Sequence, residues 1–418
     1  MRFFKNAATG LSSRQARKGK SFPPLRHEWK KDAQIVVFGV APVAGAPAIF
    51  LIGVMTALSN PLRPGDFAPW FKAPALSGSD SYAFDTAAGR AILMLFFGSA
   101  SQPAAEAALA RVAARRSLFD DVAGCFYGIT VDPSDAAEMR IRQQLPGIRF
   151  FLDYDREVSR AFGAAAPAGD NRFTPHWLLL DRAQRVVSTF PLSNADEALD
   201  AFAALAREGD GCDCAPVVVV PAILEPEMCQ RLIDLYETQG GEESGFMRDV
   251  DGVTRVHVDP RHKVRRDQQI DDEDLIESLK ARIRRRLAPM IQRVFQFEVT
   301  RIERFIIACY EADTGGHFAP HRDNTTRGTA HRRFAVTINL NAEDYEGGDL
   351  RFPEFGRRTY RAPTGGAVVF SCSILHQATP VTSGRRFAFL PFLYDEAAAA
   401  LRERNAKFTE GELANYKA

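Results

Sequence analysis

The stretch Tyr310-Glu-Ala-Asp-Thr-Gly-Gly-His-Phe-Ala-Pro-His-Arg-Asp-Asn324, answered further on by Leu375-His-Gln-Ala-Thr-Pro-Val-Thr-Ser-Gly-Arg-Arg-Phe-Ala388, decides how the chain is understood. His321 and Asp323 are separated by one residue, and in an extended strand such positions share a face, so an imidazole and a carboxylate can grip one metal together. His376 supplies a third ligand. It follows the strand-like run Gly366-Ala-Val-Val-Phe-Ser371, which leads through Cys372 to Leu375. Two imidazoles and one carboxylate leave three coordination positions open, an arrangement suited to Fe(II) holding an oxo-acid and dioxygen side by side. Ten residues beyond His376 comes Arg386, a permanent cation whose planar fork matches the far carboxylate of such an acid.

Four pieces now stand in order: Phe305-Ile-Ile-Ala-Cys-Tyr310, Pro320-His-Arg-Asp-Asn324, Gly347-Gly-Asp-Leu-Arg-Phe-Pro353, and the ending from His376 to Arg386. Together they resemble the prolyl 4-hydroxylase type of 2-oxoglutarate and Fe(II)-dependent dioxygenase. The His-x-Asp triplet alone would be a weak signal. The resemblance implies that His321, Asp323 and His376 are the iron ligands and that Arg386 anchors 2-oxoglutarate, with Tyr310 a contact on the cosubstrate side. It implies a double-stranded β-helix, or jelly roll, with the metal in its mouth, and ascorbate to keep the iron reduced. The implied reaction hydroxylates a C–H bond with O2 while 2-oxoglutarate becomes succinate and carbon dioxide. The substrate is left open between a peptidyl side chain, prolyl in the best-known case, and a small molecule. His317 and His331 lie outside the matched positions and are expected at the surface or behind the ligands. Gly315, Gly316 and Pro320 argue against a helix that would pair His317 with His321.

Composition bounds the rest. The 418 residues suffice for two or three domains. With 53 basic and 52 acidic residues no global field points to nucleic acid. The six cysteines, Cys125, Cys212, Cys214, Cys229, Cys309 and Cys372, are scattered rather than spaced as a disulfide scaffold, which fits a reducing compartment and hence the cytoplasm.

In chain order, residues 1–61 form a basic tail and an apolar segment. No charge interrupts the run from Ala33 to Leu62, which is long enough to cross a bilayer although Pro42 and Pro47 weaken it. It is too long for the apolar core of a signal peptide. Residues 62–208 alternate strands and helices: an apolar strand Ala91–Phe97, a helix from Pro103, a strand from Cys125 to Val131, a helix started by Asp132-Pro133-Ser134, then Phe150–Leu152 and a hairpin of Trp177–Leu180 with Arg185–Thr189. That order predicts an α/β layer with a mixed sheet. Phe96-Phe97-Gly98, and Thr174-Pro175 before Trp177, resemble a peroxiredoxin or thioredoxin-like domain, the latter pair standing where that family has a cis-proline loop. The position of the family's peroxide-reducing cysteine falls on Ala105, and Cys125 sits in a predicted core strand. Residues 209–216 are a linker, with the Cys212–Cys214 pair unassigned. Residues 217–395 are the expected dioxygenase domain, with helices Pro226–Thr238 and Leu275–Met290 and strands at 304–310, 334–340, 349–352, 367–371 and 386–394. The charged region Arg248–Asp274 shows almost no period; the resemblance implies a substrate loop over the active site, and a plain surface loop is the alternative. A charged helical tail, 396–418, closes the chain.

The fold class expected is thus multidomain α+β, a thioredoxin-like α/β domain followed by a jelly-roll oxygenase. Two rival functions are a thiol redox protein acting through the first domain and a non-catalytic sensor or scaffold. Ala105 opposes the former and the complete set of ligands and anchor opposes the latter. Oligomeric state is left open. Fe(II), 2-oxoglutarate and reduced cysteines all belong to the cytoplasm, whereas the basic flank ahead of the apolar run would send both domains outward if it inserted. Either the run is a membrane anchor inserted in the opposite sense, against its charge, or it is absent from the mature protein, for which Met55 offers a start beyond it. A chain begun at Met55 is therefore expected to leave the membrane fraction and keep the turnover of the chain begun at Met1; turnover lost in the shorter chain would overturn this.

Overall fold

The computed structural model describes residues 62–76, 78–207 and 214–410. The basic tail, the apolar run up to residue 61 with Met55, Cys212 and the end of the charged tail lie outside the described residues. Among those described, no helix is long and apolar enough to cross a membrane.

The first half is built on a seven-stranded sheet. Its strands are β1 (Lys72–Ala75), β2 (Ser79–Ala83), β3 (Ala91–Gly98), β4 (Gly124–Thr130), β5 (Ile148–Leu152), β6 (His176–Leu180) and β7 (Val186–Pro191), in the order β2-β1-β5-β4-β3-β6-β7. β3, β4 and β5 run parallel, while β6 and β7 on one side and β1 and β2 on the other are antiparallel. The sheet is mixed, as the alternation of elements predicts. β3 is apolar throughout because both its faces are covered. Ile92, Met94 and Phe96 pack into one cluster with Phe71, Phe84 and Phe162, while Leu93, Leu95 and Phe97 pack into another under helices α1 (Pro103–Ala114) and α4 (Ala195–Arg207). Between these helices lie α2 (Pro133–Ala137), capped by the Asp132 side chain on Ser134 N–H, and α3 (Glu157–Ala161).

The second half folds around two sheets. In chain order its elements are β8 (Val218–Val220), α5 (Pro226–Gln239), β9 (Glu242–Glu243), β10 (Phe246–Val250), β11 (Val253–His257), β12 (Lys263–Val264), β13 (Arg266–Gln269), α6 (Glu273–Arg282) and α7 (Ala288–Phe295). Then follow β14 (Arg301–Glu303), β15 (Ile306–Glu311), β16 (His317–His321), β17 (Phe334–Asn339), β18 (Tyr345–Gly347), β19 (Leu350–Arg351), β20 (Thr359–Tyr360), β21 (Ala367–Ser371), β22 (His376–Ala378), β23 (Val381–Phe389), β24 (Phe392–Tyr394) and α8 (Glu396–Asn405). The larger sheet has the order β14-β24-β17-β23-β15-β13-β9, with β18 on β23 and β21 joining β17 to β8. The smaller has the order β12-β16-β22-β19-β20. Helices α5 to α7 pack Leu232, Leu275, Leu279, Ile283 and Leu287 onto the outer face of the larger sheet, against Ile307, Val336 and Phe389.

Several expectations are corrected. Arg248–Asp274 is not a loop: it contains the hairpin β10–β11 and the strands β12 and β13, whose alternate residues are charged because they face a polar interior. The strand expected over 386–394 is interrupted between β23 and β24 at Pro391, which has no N–H to donate to a ladder. The helix expected over 275–290 is widened to π geometry over Ile283–Leu287, just ahead of Pro289, whose ring cannot fit a regular i−4 turn. The cis bond among the described residues precedes Pro146, and Thr174–Pro175 is trans, with Thr174 N–H donating to Ala164 O.

His331 is also not superficial. It is 1% exposed and donates from Nε2 to Glu303 Oε2 at 2.7 Å, beside Arg332 on Oε1 at 2.7 Å and Arg402 of α8 at 2.9 Å. Burial pushes the Glu303 carboxyl up, but the charges of Arg332 and Arg402 and the His331 bond more than offset this and hold it well below the glutamate range. Removing this carboxylate strands buried cations. Glu303→Gln is expected to cost about 3–5 kcal/mol of stability, read as a lower urea midpoint. Because the folded pKa lies below the unfolded value of about 4.3, the carboxylate's contribution is complete above that pH and is lost as pH falls, so the variant should also show a flatter acid limb.

Candidate metal and oxo-acid site

β16 and β22 are antiparallel neighbours, and their register sets His321 directly opposite His376. The two rings lie with centroids 4.3 Å apart. Asp323, two residues past His321, approaches both: its Oδ1 is 3.5 Å from His321 Nε2 and its Oδ2 is 3.3 Å from His376 Nε2. The donor atoms of the three residues fall within 4.8 Å of one another. The loop after β16 is tied to the strand leading into His376, since Asp323 N–H donates to Cys372 O at 3.0 Å.

The tautomers follow from the backbone. His321 Nδ1 lies 2.8 Å from Ala319 O and His376 Nδ1 lies 3.1 Å from Ile374 O. A carbonyl can only accept, so Nδ1 carries the proton in each ring and Nε2 presents its lone pair to the cluster. Phe318 stacks on His321 at 3.5 Å between centroids and 17°, fixing the ring plane. Burial lowers the His321 pKa to about 4, so this ring needs to shed no proton before binding a metal at neutral pH. Burial pushes Asp323 up, but the two facing histidines more than offset this and hold its carboxyl well below the usual range.

The larger sheet supplies the opposite wall. Tyr310 on β15 pairs with Arg386 on β23, and the guanidinium carbon of Arg386 lies 5.0 Å from the Tyr310 ring centre. Arg386 is 2% exposed, and its Nε and Nη1 are buried with no hydrogen-bond partner among the described residues. An unsatisfied buried cation is costly, and an anion from outside the chain is what such a group lacks. All five residues singled out in the sequence line one pocket that opens to solvent. Phe318, Leu350, Phe370 and Phe392 make its apolar lining.

Sequence reasoning missed the charged segment through β12 and β13, from which Arg265 lines the pocket. Arg265, 6% exposed, donates from Nη1 to the Tyr310 hydroxyl at 3.3 Å and from Nη2 to Asp267 at 2.6 Å. Lys263 donates to Ser244 Oγ and Gly245 O, and its Nζ lies 4.9 Å from the Phe318 ring centre. The signal that could have located them is the alternation Lys263-Val-Arg265-Arg-Asp267, a period-2 pattern written in charges rather than apolar residues.

Ala105 is fully buried in α1, and the loop before that helix is bound to carboxylates: Ser99 Oγ donates to Asp132 at 2.7 Å and Ala100 N–H to Asp135 at 2.9 Å. A thiolate needs the opposite, an electropositive and accessible setting. Cys125 is fully buried, and burial pushes its thiol up to about 12.

Comparison with known proteins places residues 305–394 on the family model of the 2OG-Fe(II) oxygenase superfamily. A PKHD-type hydroxylase of Synechococcus sp. (strain JA-2-3B'a(2-13)) is 34% identical over 93 residues, 21% of this chain and 41% of the relative. A PKHD-type hydroxylase of Maricaulis maris (strain MCS10) is 26% identical over 207 residues, 44% of this chain and 93% of the relative. The chain thus spans about two fifths of the length of the first of these relatives. Among solved structures, a prolyl hydroxylase from Trichoplax adhaerens in complex with a hypoxia inducible factor oxygen degradation domain peptide fragment is 19% identical, covers 44% of this chain and 86% of its own, and has a TM-score of 0.34. Peroxidoxin BcpB from Mycobacterium tuberculosis is 18% identical, covers 35% of this chain and 97% of its own, and has a TM-score of 0.30.

A native chain with these thiol environments should consume no peroxide through Cys125. Peroxide-dependent oxidation of a thiol reductant is expected to match the buffer blank and to be the same in Cys125→Ser; turnover abolished by that substitution would revive the redox reading.

Proposed function

We propose that the chain is a 2-oxoglutarate- and Fe(II)-dependent dioxygenase that hydroxylates a C–H bond of a peptidyl, including prolyl, or small-molecule substrate. The observation that carries this reading is the pairing, across one pocket, of a two-histidine, one-carboxylate cluster with a buried arginine that has unsatisfied donors. The family match and the PKHD-type relatives support it.

In this reading His321, Asp323 and His376 hold the iron, Arg386 holds the distal carboxylate of 2-oxoglutarate, and Tyr310 flanks it. Bound there, Fe(II) supplies the activation of O2 by which 2-oxoglutarate becomes succinate and carbon dioxide, one oxygen atom entering succinate and the other the substrate. The chain's own residues position and insulate. The Nδ1–H bonds to Ala319 and Ile374 aim both imidazoles, and the Phe318, Leu350 and Phe370 side chains keep bulk water from the cluster. Arg386, desolvated beside Tyr310, selects a dianionic cosubstrate of fixed length. Ascorbate serves to keep the iron reduced. We assign residues 62–208 to a thioredoxin-like domain, 209–216 to the linker, 217–395 to a double-stranded β-helix dioxygenase domain and 396–418 to a tail, and place the activity in the cytoplasm.

The test separates ligand from anchor. His376→Ala should abolish iron binding, because it removes a metal bond. Arg386→Ala should keep iron and weaken 2-oxoglutarate by roughly tenfold to a hundredfold, the equivalent of about 1.5–3 kcal/mol for a charge-assisted bond. Anaerobic Fe(II) and 2-oxoglutarate titration, followed by succinate assay with and without a peptide extract, reads both; wild-type turnover in both variants would sink the assignment.

A further inference from the structure

Arg322 stands between two members of the cluster. Side chains alternate along an extended run, so with His321 and Asp323 turned to the pocket Arg322 turns away from it, and it ends in a charged junction between the two halves of the chain. Its side chain is 2% exposed. Nε donates to Asp85 Oδ2 at 3.1 Å, and the guanidinium carbon lies 4.2 Å from the ring centre of Trp70. Both partners belong to the first half. On the other side, Nη2 donates to Glu354 Oε1 at 2.8 Å and Nη1 donates to Glu354 Oε2 at 3.1 Å and to Ser373 O.

Glu354 carries the link to the third ligand. Its Oε2 also accepts from Leu375 N–H at 2.8 Å, and Leu375 immediately precedes His376. One guanidinium therefore connects the backbone on both sides of the cluster, directly at residue 322 and through Glu354 and Ser373 next to His376. The junction around it is closely packed. A Cβ at Gly89 would lie 2.3 Å from Cβ of Pro353, the neighbour of Glu354, and Gly89 has φ +94°.

We propose that the first half acts as a fixed outer support of the metal centre, with Arg322 as the positioning residue. Trp70 and Asp85 hold the Arg322 head, and Arg322 with Glu354 holds the two ligand-bearing segments at the separation at which Asp323 reaches both histidines. The first half then contributes to metal affinity without contributing a ligand. Removing the Asp85 charge leaves the Arg322–Glu354 pair intact, so it isolates the grip of the first half from the internal pairing of the second. This inference rests on the reading of His321, Asp323 and His376 as metal ligands.

The experiment uses the full chain and Co(II), whose visible absorption reports ligand geometry. Asp85→Asn and Trp70→Leu are expected to bind Co(II) about tenfold more weakly, the lower end of the cost of losing an outer partner of a metal ligand, with altered absorption bands. Asp85→Glu should restore part of the loss. Tyr82→Phe, which removes a hydrogen bond to Tyr127 and none to Arg322 or Glu354, should bind as the wild type. If Asp85→Asn shows no cooperative melt, Trp70→Leu is judged by the same criteria. Wild-type Co(II) affinity and spectrum in a folded junction variant would overturn the proposal. So would equal weakening in Tyr82→Phe, which would mark a general loss of stability. A wild-type chain that binds no Co(II) would instead overturn the metal-site reading itself.

Discussion

The antiparallel register that sets His321 against His376 is the constraint on which the candidate site depends. Once two imidazoles are fixed on adjacent strands, the period of two along the chain decides the rest. Asp323 joins them on the inner side and Arg322 is thrown to the outer side. A shift of one residue in either strand would exchange these faces, turning a guanidinium into the pocket and a histidine into the junction. The hydrogen bond from Asp323 N–H to Cys372 O helps to prevent that slip.

The larger sheet repeats the logic with charge. Tyr310 and Arg386 are paired across β15 and β23, and Arg265 joins Tyr310 from between β12 and β13, so the inner face of this wall carries cations where a globular core would carry leucines. Such a face is stable only where each charge is balanced. Asp267 serves Arg265 and Arg304, and Glu303 serves His331, Arg332 and Arg402. Arg386 has two buried nitrogens left over, Nε and Nη1, and Arg265 has one, Nε. Function and stability therefore draw on one rule, with the exception located at the pocket.

What was legible in the sequence had a short range. The His321–Asp323 spacing, the apolar β3 and the helix stripes through Leu275, Leu279, Ile283 and Leu287 are local periods, and each is visible within one element. What was missed depends on distant partners. β12 and β13 lack an apolar face because their inward residues meet charges from other strands, so they resemble solvated chain. His331 looks like a surface histidine until Glu303 and Arg402 are brought to it from other elements. The hairpin of β1 and β2 carries little apolar signal, because β1 buries only Ala73 and Ala75 and β2, at the edge of the sheet, has no fully buried residue. Arg322 was read only as the spacer between two ligands, since its partners Trp70 and Asp85 are remote in the chain.

β3 also bears on how the chain comes to be folded. Ala91-Ile-Leu-Met-Leu-Phe-Phe97 is uncharged, free of proline and buried on both faces and along both edges in the finished sheet. During synthesis it emerges well before β6, the strand that closes one of those edges. In that interval it has the composition of a segment that adds readily to another copy of itself. The neighbouring Arg90, held by Asp121 once the sheet has formed, is the nearest charge able to discourage that encounter. The interval before residues 176–180 arrive is thus a kinetic hazard that accompanies placing one strand at the centre of a two-faced sheet.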